Sequence, residues 1–89
     1  IERHKPLLER AEAMFKHLHL RNIVAIAADG MKGWPEAAQA PFDKIIVTAC
    51  APRKPPQALL DQLKVGGLMV IPVAAGERQI LRLYRKESD

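Results

Sequence analysis

Two short runs of the chain combine residue types suited to holding a bound small molecule. Ala28-Asp29-Gly30 sets a carboxylate beside a glycine. The carboxylate can accept a hydrogen bond from an amino group, and a residue without Cβ lets backbone approach a flat ring. The same pair favours tight turns, so a turn and a contact are compatible readings. Thr48-Ala49-Cys50 adds a hydroxyl and the only thiol. The hydroxyl can bond a reacting group or satisfy its own backbone. Cys50 has no histidine near it in sequence and reads as a buried, unreactive thiol. His17 and His19 are two apart, so they do not share a helix face, and no metal site is expected from them or from His4. Trp34, the only tryptophan, reads as an anchor beneath its loop rather than a wall of a site. Met31 reads as a gap-filler.

The elements around these runs follow from periodicity. Leu7, Ala11, Met14 and Leu18 recur at helical spacing, with Leu8 and Phe15 widening the stripe. This predicts a helix over Pro6–Leu18, with Pro6 in its first turn and His19 or Arg21 ending it without a glycine. Asn22–Ala27 and Asp43–Ala49 are continuously apolar and read as strands buried on both faces, the habit of parallel sheets. Asp29–Pro41 is a loop punctuated by glycine and proline. Pro56 opens a short helix through Leu63, with Leu59, Leu60 and Leu63 inward, and Gly66-Gly67 ends that unit. Leu68–Val73 is a third strand. Ala74–Arg78 turns around Gly76, and Gln79–Lys86 alternates as an antiparallel edge strand. Strands alternating with helices predict an α/β sheet, mostly parallel, with one antiparallel hairpin. Ligands in such sheets sit beyond the carboxyl ends of the strands, which are the two runs named above.

Composition narrows the class. Eighty-nine residues, 48% apolar and 27% charged, fit one small domain or a piece of a larger one and argue against disorder. No apolar run reaches the roughly 20 residues that span a bilayer, and the charged start shows no signal peptide. One cysteine fits a reducing, cytoplasmic compartment. A net charge of +4 with mixed signs permits nucleic-acid binding without indicating it. Arg78, Arg82, Arg85 and Lys86 read as charge guarding an edge strand. Ile1 in place of an initiator methionine hints at a fragment.

Three segments in order carry a resemblance. They are Asp29-Gly-x-x-Gly33-Trp34-Pro35-Glu36; then Ala40-Pro41-Phe42-Asp43-Lys44-Ile45-Ile46-Val47-Thr48-Ala49; then Pro56-x-x-Leu59-Leu60-x-Gln62-Leu63-x-x-Gly66-Gly67 with Val70-Ile71-Pro72-Val73. Together they resemble the C-terminal half of the protein-L-isoaspartate O-methyltransferase family, from Ile1 to about Leu83. No segment is specific alone; the ordered combination with Gly-Trp-Pro is.

The resemblance implies a partial, Rossmann-like S-adenosylmethionine-dependent methyltransferase sheet, read as one partial domain over residues 1–89. The family's first strand and glycine-rich loop have no counterpart here, nor does its upstream substrate segment. It also implies S-adenosyl-L-methionine as co-substrate and isoaspartyl peptides and proteins as partners. Glu2 falls at the mouth of the family's second strand, where a carboxylate accepts from both ribose hydroxyls. Asp29 and Gly30 fall beside adenine, and Thr48 near the transfer centre. Cys50 and Arg53-Lys54 depart from the family's small and acidic residues.

In the family's strand order, 3-2-1-4-5, Asn22–Ala27 is the third strand and only Ile1–Arg3 remains of the second. The resemblance therefore implies that Asn22–Ala27 stands apart from a sheet made by the three later strands, or pairs in a way foreign to the family. It also implies that the isolated chain is inactive. Two other readings stay open. One is a methyltransferase of the same fold acting on RNA, against which Gly-Trp-Pro speaks. The other is a non-catalytic basic binding module, against which the lack of interleaved aromatics speaks.

Overall fold

The computed structural model describes residues 1–88, with Ala37 by its backbone alone. The chain divides into two compact units, Ile1–Gly30 and a second from Met31 onward.

The first unit is built on helix α1, Lys5–His17. Its start has no side-chain cap; the His4 carbonyl instead accepts from the N–H groups of Leu7 and Leu8 at 3.1 and 3.0 Å. Pro6 lies in the first turn, where a missing N–H leaves no bond unmade. At the other end His19 takes a left-handed φ of 59°. Leu20 N–H reaches the Phe15 carbonyl at 2.9 Å and His19 N–H that of Lys16 at 3.1 Å, the paired bonds of a Schellman cap made without glycine. Within the stripe, Leu8, Ala11 and Phe15 are half-buried, whereas Leu7, Met14 and Leu18 remain exposed.

The segment 22–27 departs from the strand expected of it. Asn22, Ile23 and Val24 are exposed, and the segment's ladder is a single parallel bridge between Ala27 and Glu2. Glu2 N–H donates to the Ile26 carbonyl at 3.0 Å, and Ala28 N–H to that of Glu2 at 3.2 Å. Backbone groups form a ladder only where a partner strand presents its own, and here the partner is a few residues long. The segment joins no other described strand, as the resemblance implied.

The second unit holds a three-stranded sheet in the order β1-β2-β3: β1 Phe42–Ile46, β2 Leu63–Ala75 and β3 Arg78–Arg85. β1 pairs parallel with β2 through the crossover helix α2, Gln57–Gln62, and β2 pairs antiparallel with β3. All three later strands therefore share one sheet. The hairpin turns at Gly76, whose φ is +64°, in the two-residue connection that favours glycine.

The start of β2 differs most from the sequence reading. Gly66-Gly67 does not end the helical unit; α2 stops at Gln62 and both glycines lie inside β2. Between Phe42↔Leu63 and Lys44↔Leu68 the register slips, and Gly66 takes up the irregularity with a φ of +84°. Gly67 is buried against the carbonyls of Lys64 and Asp43, where no side chain fits.

The core is Ala51, Leu59, Leu63, Met69, Ile71 and Val73, with Ile45, Val47, Leu60 and Tyr84 packed on it. It covers one face of the sheet. On the other face Ile46, Val70 and Leu83 stand in one cross-strand row and Pro72 beside Leu81 in the next. Ile46, Leu81 and Leu83 are 76%, 70% and 65% exposed, so β1 is not buried on both faces as its composition suggests.

Candidate functional site

In the first unit the bridge sets two parallel segments side by side. Glu2 lies opposite Ala27, and Asp29-Gly30 continues from Ala27 past the carboxyl end of its segment. Glu2, Asp29 and Gly30 are half-buried. The Glu2 main chain makes the bridge, and its carboxylate has no hydrogen bond or ion pair with another described residue. A partly covered carboxylate in that state retains its full acceptor capacity for a ligand. Gly30 opens a short 3-10 turn, Gly30–Lys32. A Cβ at Gly30 meets only the Ile1 Cγ2 at 3.9 Å, an ordinary contact. Packing within the chain therefore does not demand glycine there, and a face that a Cβ would occupy stays open. Both features suit a nucleoside ligand.

In the second unit Thr48 stands at the carboxyl end of β1. Val47 N–H still bonds the Val70 carbonyl at 2.9 Å, and the chain rejoins β2 when Ala51 N–H bonds Pro72 and Ala74 N–H bonds Ala51, each at 2.9 Å. Thr48, Ala49 and Cys50 form the excursion between, and all are exposed. Thr48 thus lies just past the carboxyl end of β1 and is exposed. Cys50 corrects its reading as a buried thiol: it is exposed, with Sγ donating to the Ala51 carbonyl at 3.3 Å. The cause is the excursion itself, which lifts the residue off the sheet just before the chain returns. The grooves lined by Leu60, Asp61, Leu63, Tyr84 and Lys86 lie at the amino end of β2, opposite to Thr48.

Trp34 is half-buried outside the core cluster, and its indole Nε1 is buried with no acceptor among the described residues. Its main chain is held by Gln62, a residue that the sequence reading places inside the short helix through Leu63 without singling it out. The contact spans 28 residues, so no local signal announces it. Among the described residues no three His, Cys, Asp or Glu side chains group as a metal site.

A mixed sheet with a parallel crossover, and a carboxylate and an Asp-Gly pair at the carboxyl ends of parallel segments, define part of a Rossmann-like methyltransferase fold. The chain belongs to the family described as Protein-L-isoaspartate(D-aspartate) O-methyltransferase, whose model matches residues 1–89.

Among curated relatives, the protein-L-isoaspartate O-methyltransferase of Paramagnetospirillum magneticum is 56% identical over 90 residues, covering 98% of this chain and 41% of the relative. That of Rhodospirillum centenum is 53% identical over 90 residues, covering 99% and 40%. The chain thus spans about two-fifths of the length of the curated relatives it matches. A solved protein-L-isoaspartate O-methyltransferase superposes with a TM-score of 0.82 at 28% identity, over 94% of this chain and 26% of that one. A Plasmodium falciparum structure, described as a putative protein-L-isoaspartate O-methyltransferase in complex with S-adenosyl-L-homocysteine, gives 0.83 at 26%, over 98% and 43%.

Proposed function

We propose that this chain forms the ribose and adenine side of the methyl-donor site in an S-adenosylmethionine-dependent protein-L-isoaspartate O-methyltransferase, acting on isoaspartyl residues of damaged proteins. Family membership over residues 1–89 supports the reaction. One observation carries the site: the Glu2–Ala27 bridge sets Glu2 and Asp29-Gly30 at the carboxyl ends of adjacent parallel segments. In this reading Glu2 accepts from the ribose hydroxyls, Asp29 accepts from the adenine amino group, and Gly30 leaves room for the ring. Thr48 bonds near the transfer centre.

When bound, S-adenosylmethionine supplies a methyl group on a positively charged sulfur, which passes to a carboxylate oxygen and leaves a methyl ester and a neutral thioether. The attacking carboxylate is already ionised at neutral pH. No general base is required, and the residues of this chain serve by orienting the donor and excluding water. The single cysteine supports a cytoplasmic setting. No helix among the described residues is long and apolar enough to cross a membrane.

The test is a chimera in which this chain replaces the matching residues of the Paramagnetospirillum magneticum relative. It is assayed with labelled donor on an isoaspartyl peptide and its normal aspartyl twin. Methylation of the isoaspartyl peptide alone supports the reading, and equal labelling of both peptides, or of neither, contradicts it.

A further inference from the structure

The chain that follows the Thr48–Cys50 excursion is a short loop, Ala51-Pro52-Arg53-Lys54-Pro55-Pro56, pinned at both ends. At its start Ala51 is fully buried, with its N–H bonded to the Pro72 carbonyl and its own carbonyl accepting from Ala74 N–H, each at 2.9 Å. At its end Pro55 is buried, and the Pro56 carbonyl accepts from the N–H groups of Leu59 and Leu60 at 3.1 and 3.3 Å as α2 begins. Pro52, Pro55 and Pro56 each fix one backbone dihedral, so little freedom remains between the anchors. The loop presents Pro52, Arg53 and Lys54, all exposed. Neither cation has a hydrogen bond or ion pair with another described residue.

The strand pairing fixes where those charges stand. Ala51 bridges Val73 in parallel, so the chain leaving Ala51 runs the way β2 runs, toward the Gly76 turn. The loop, Thr48 and the hairpin turn therefore share the carboxyl end of the sheet. The turn adds Glu77 and Arg78, which offset one another in charge and leave the Arg53-Lys54 pair in excess. Two adjacent cations without an internal partner, on a stiffened loop, lose little freedom when an anion binds.

We propose that Arg53 and Lys54 are specificity-determining residues that favour isoaspartyl peptides carrying aspartate or glutamate beside the isoaspartyl residue. Their cations pair with those flanking carboxylates while the isoaspartyl carboxylate lies at the transfer centre. The proposal rests on the reaction proposed above, with its transfer centre at the Thr48 end of the sheet. The flanking carboxylates carry the same charge before and during transfer, so the pairing lowers peptide KM and leaves kcat alone. Pairs at an exposed loop are screened by salt.

The experiment uses the chimera and two isoaspartyl peptides of equal length, one with glutamate on either side of the isoaspartyl residue and one with glutamine there. Arg53→Gln combined with Lys54→Gln removes both charges. Lys64→Gln combined with Arg85→Gln is the control; it removes two exposed charges near the amino end of β2, where Arg85 lies opposite Leu68. In the unvaried chimera the glutamate peptide has a KM about fivefold lower than the glutamine peptide, with kcat the same within about twofold, and the difference shrinks as salt is raised. The Arg53 and Lys54 double variant brings the two KM values together and leaves donor KM unchanged, whereas the control keeps the difference. Equal KM values in the unvaried chimera, or a preference that survives the loss of both cations, overturns the proposal and leaves the reaction standing. An unvaried chimera that methylates neither peptide contradicts the reaction itself, and the proposal falls with it.

Discussion

Glu2 and Ala27 are partners in a single parallel bridge, closed by one hydrogen bond on each side of Glu2, at 3.0 and 3.2 Å. This one rung stands where a strand ladder would otherwise run, and it sets the Glu2 main chain beside the segment that leads into Asp29-Gly30. The Ala28 amide, which donates to the Glu2 carbonyl, should exchange with solvent more slowly than that of Val24, which sits in exposed, unpaired backbone. Glu2→Pro removes the donor to Ile26 and should erase the protection, whereas Glu2→Ala keeps the bridge and the protection. Equal exchange at Ala28 and Val24 would mean that the bridge does not form.

His19→Gly should stabilise the first unit. His19 occupies left-handed backbone, which costs a side-chain-bearing residue about 1–2 kcal/mol. Glycine removes that strain but adds about 0.5–1 kcal/mol of unfolded-state entropy. The net gain is about 0.5–1 kcal/mol, read as a higher denaturant midpoint by circular dichroism. A lower midpoint would show that His19 contributes something besides the cap.

Gly67→Ala should destabilise the second unit by about 1–3 kcal/mol or more. The new Cβ meets the carbonyl oxygens of Lys64 and Asp43 at 2.7 and 2.8 Å, and backbone cannot swing aside as a flexible side chain can. Wild-type stability in Gly67→Ala would mean that β1 and β2 separate there at little cost.

The strand-helix-strand order of the second unit, its hairpin and its glycine turn were legible because each rests on local chemistry: apolar runs, Pro56 before α2, Gly76 at the turn. Topology and resemblance placed Glu2, Asp29, Gly30 and Thr48 near strand ends; Thr48 does follow β1, whereas Glu2 and Asp29-Gly30 adjoin a single bridge in place of a strand ladder. Burial was less legible. Composition alone marked Asn22–Ala27 and Asp43–Ala49 as covered on both faces, but covering depends on partners outside the segment, and Val24 and Ile46 are exposed here. Gly66-Gly67 looked like a helix stop because that pair serves equally in a strand irregularity. Gln62 was hidden because its partner lies 28 residues away.

The open face of the sheet gives a contrast that can be measured. Leu81→Thr and Leu83→Thr remove apolar groups already in water and should change the stability of this chain by no more than about 0.5 kcal/mol. Together they should lower its binding of a hydrophobic dye. Ile71→Ala on the covered face, where the side chain is fully buried, should cost about 2–5 kcal/mol. Large losses from the leucine variants would place those side chains in a core.

The most direct measurement is the affinity of the chimera for S-adenosylhomocysteine, by calorimetry, with and without Glu2→Ala and Asp29→Ala. A hydrogen bond to a charged group is worth about 1.5–3 kcal/mol, so each variant should weaken binding roughly tenfold or more while the protein stays folded. Binding as tight in both variants as in the unvaried chimera would contradict the assignment of Glu2 and Asp29 to the methyl-donor site.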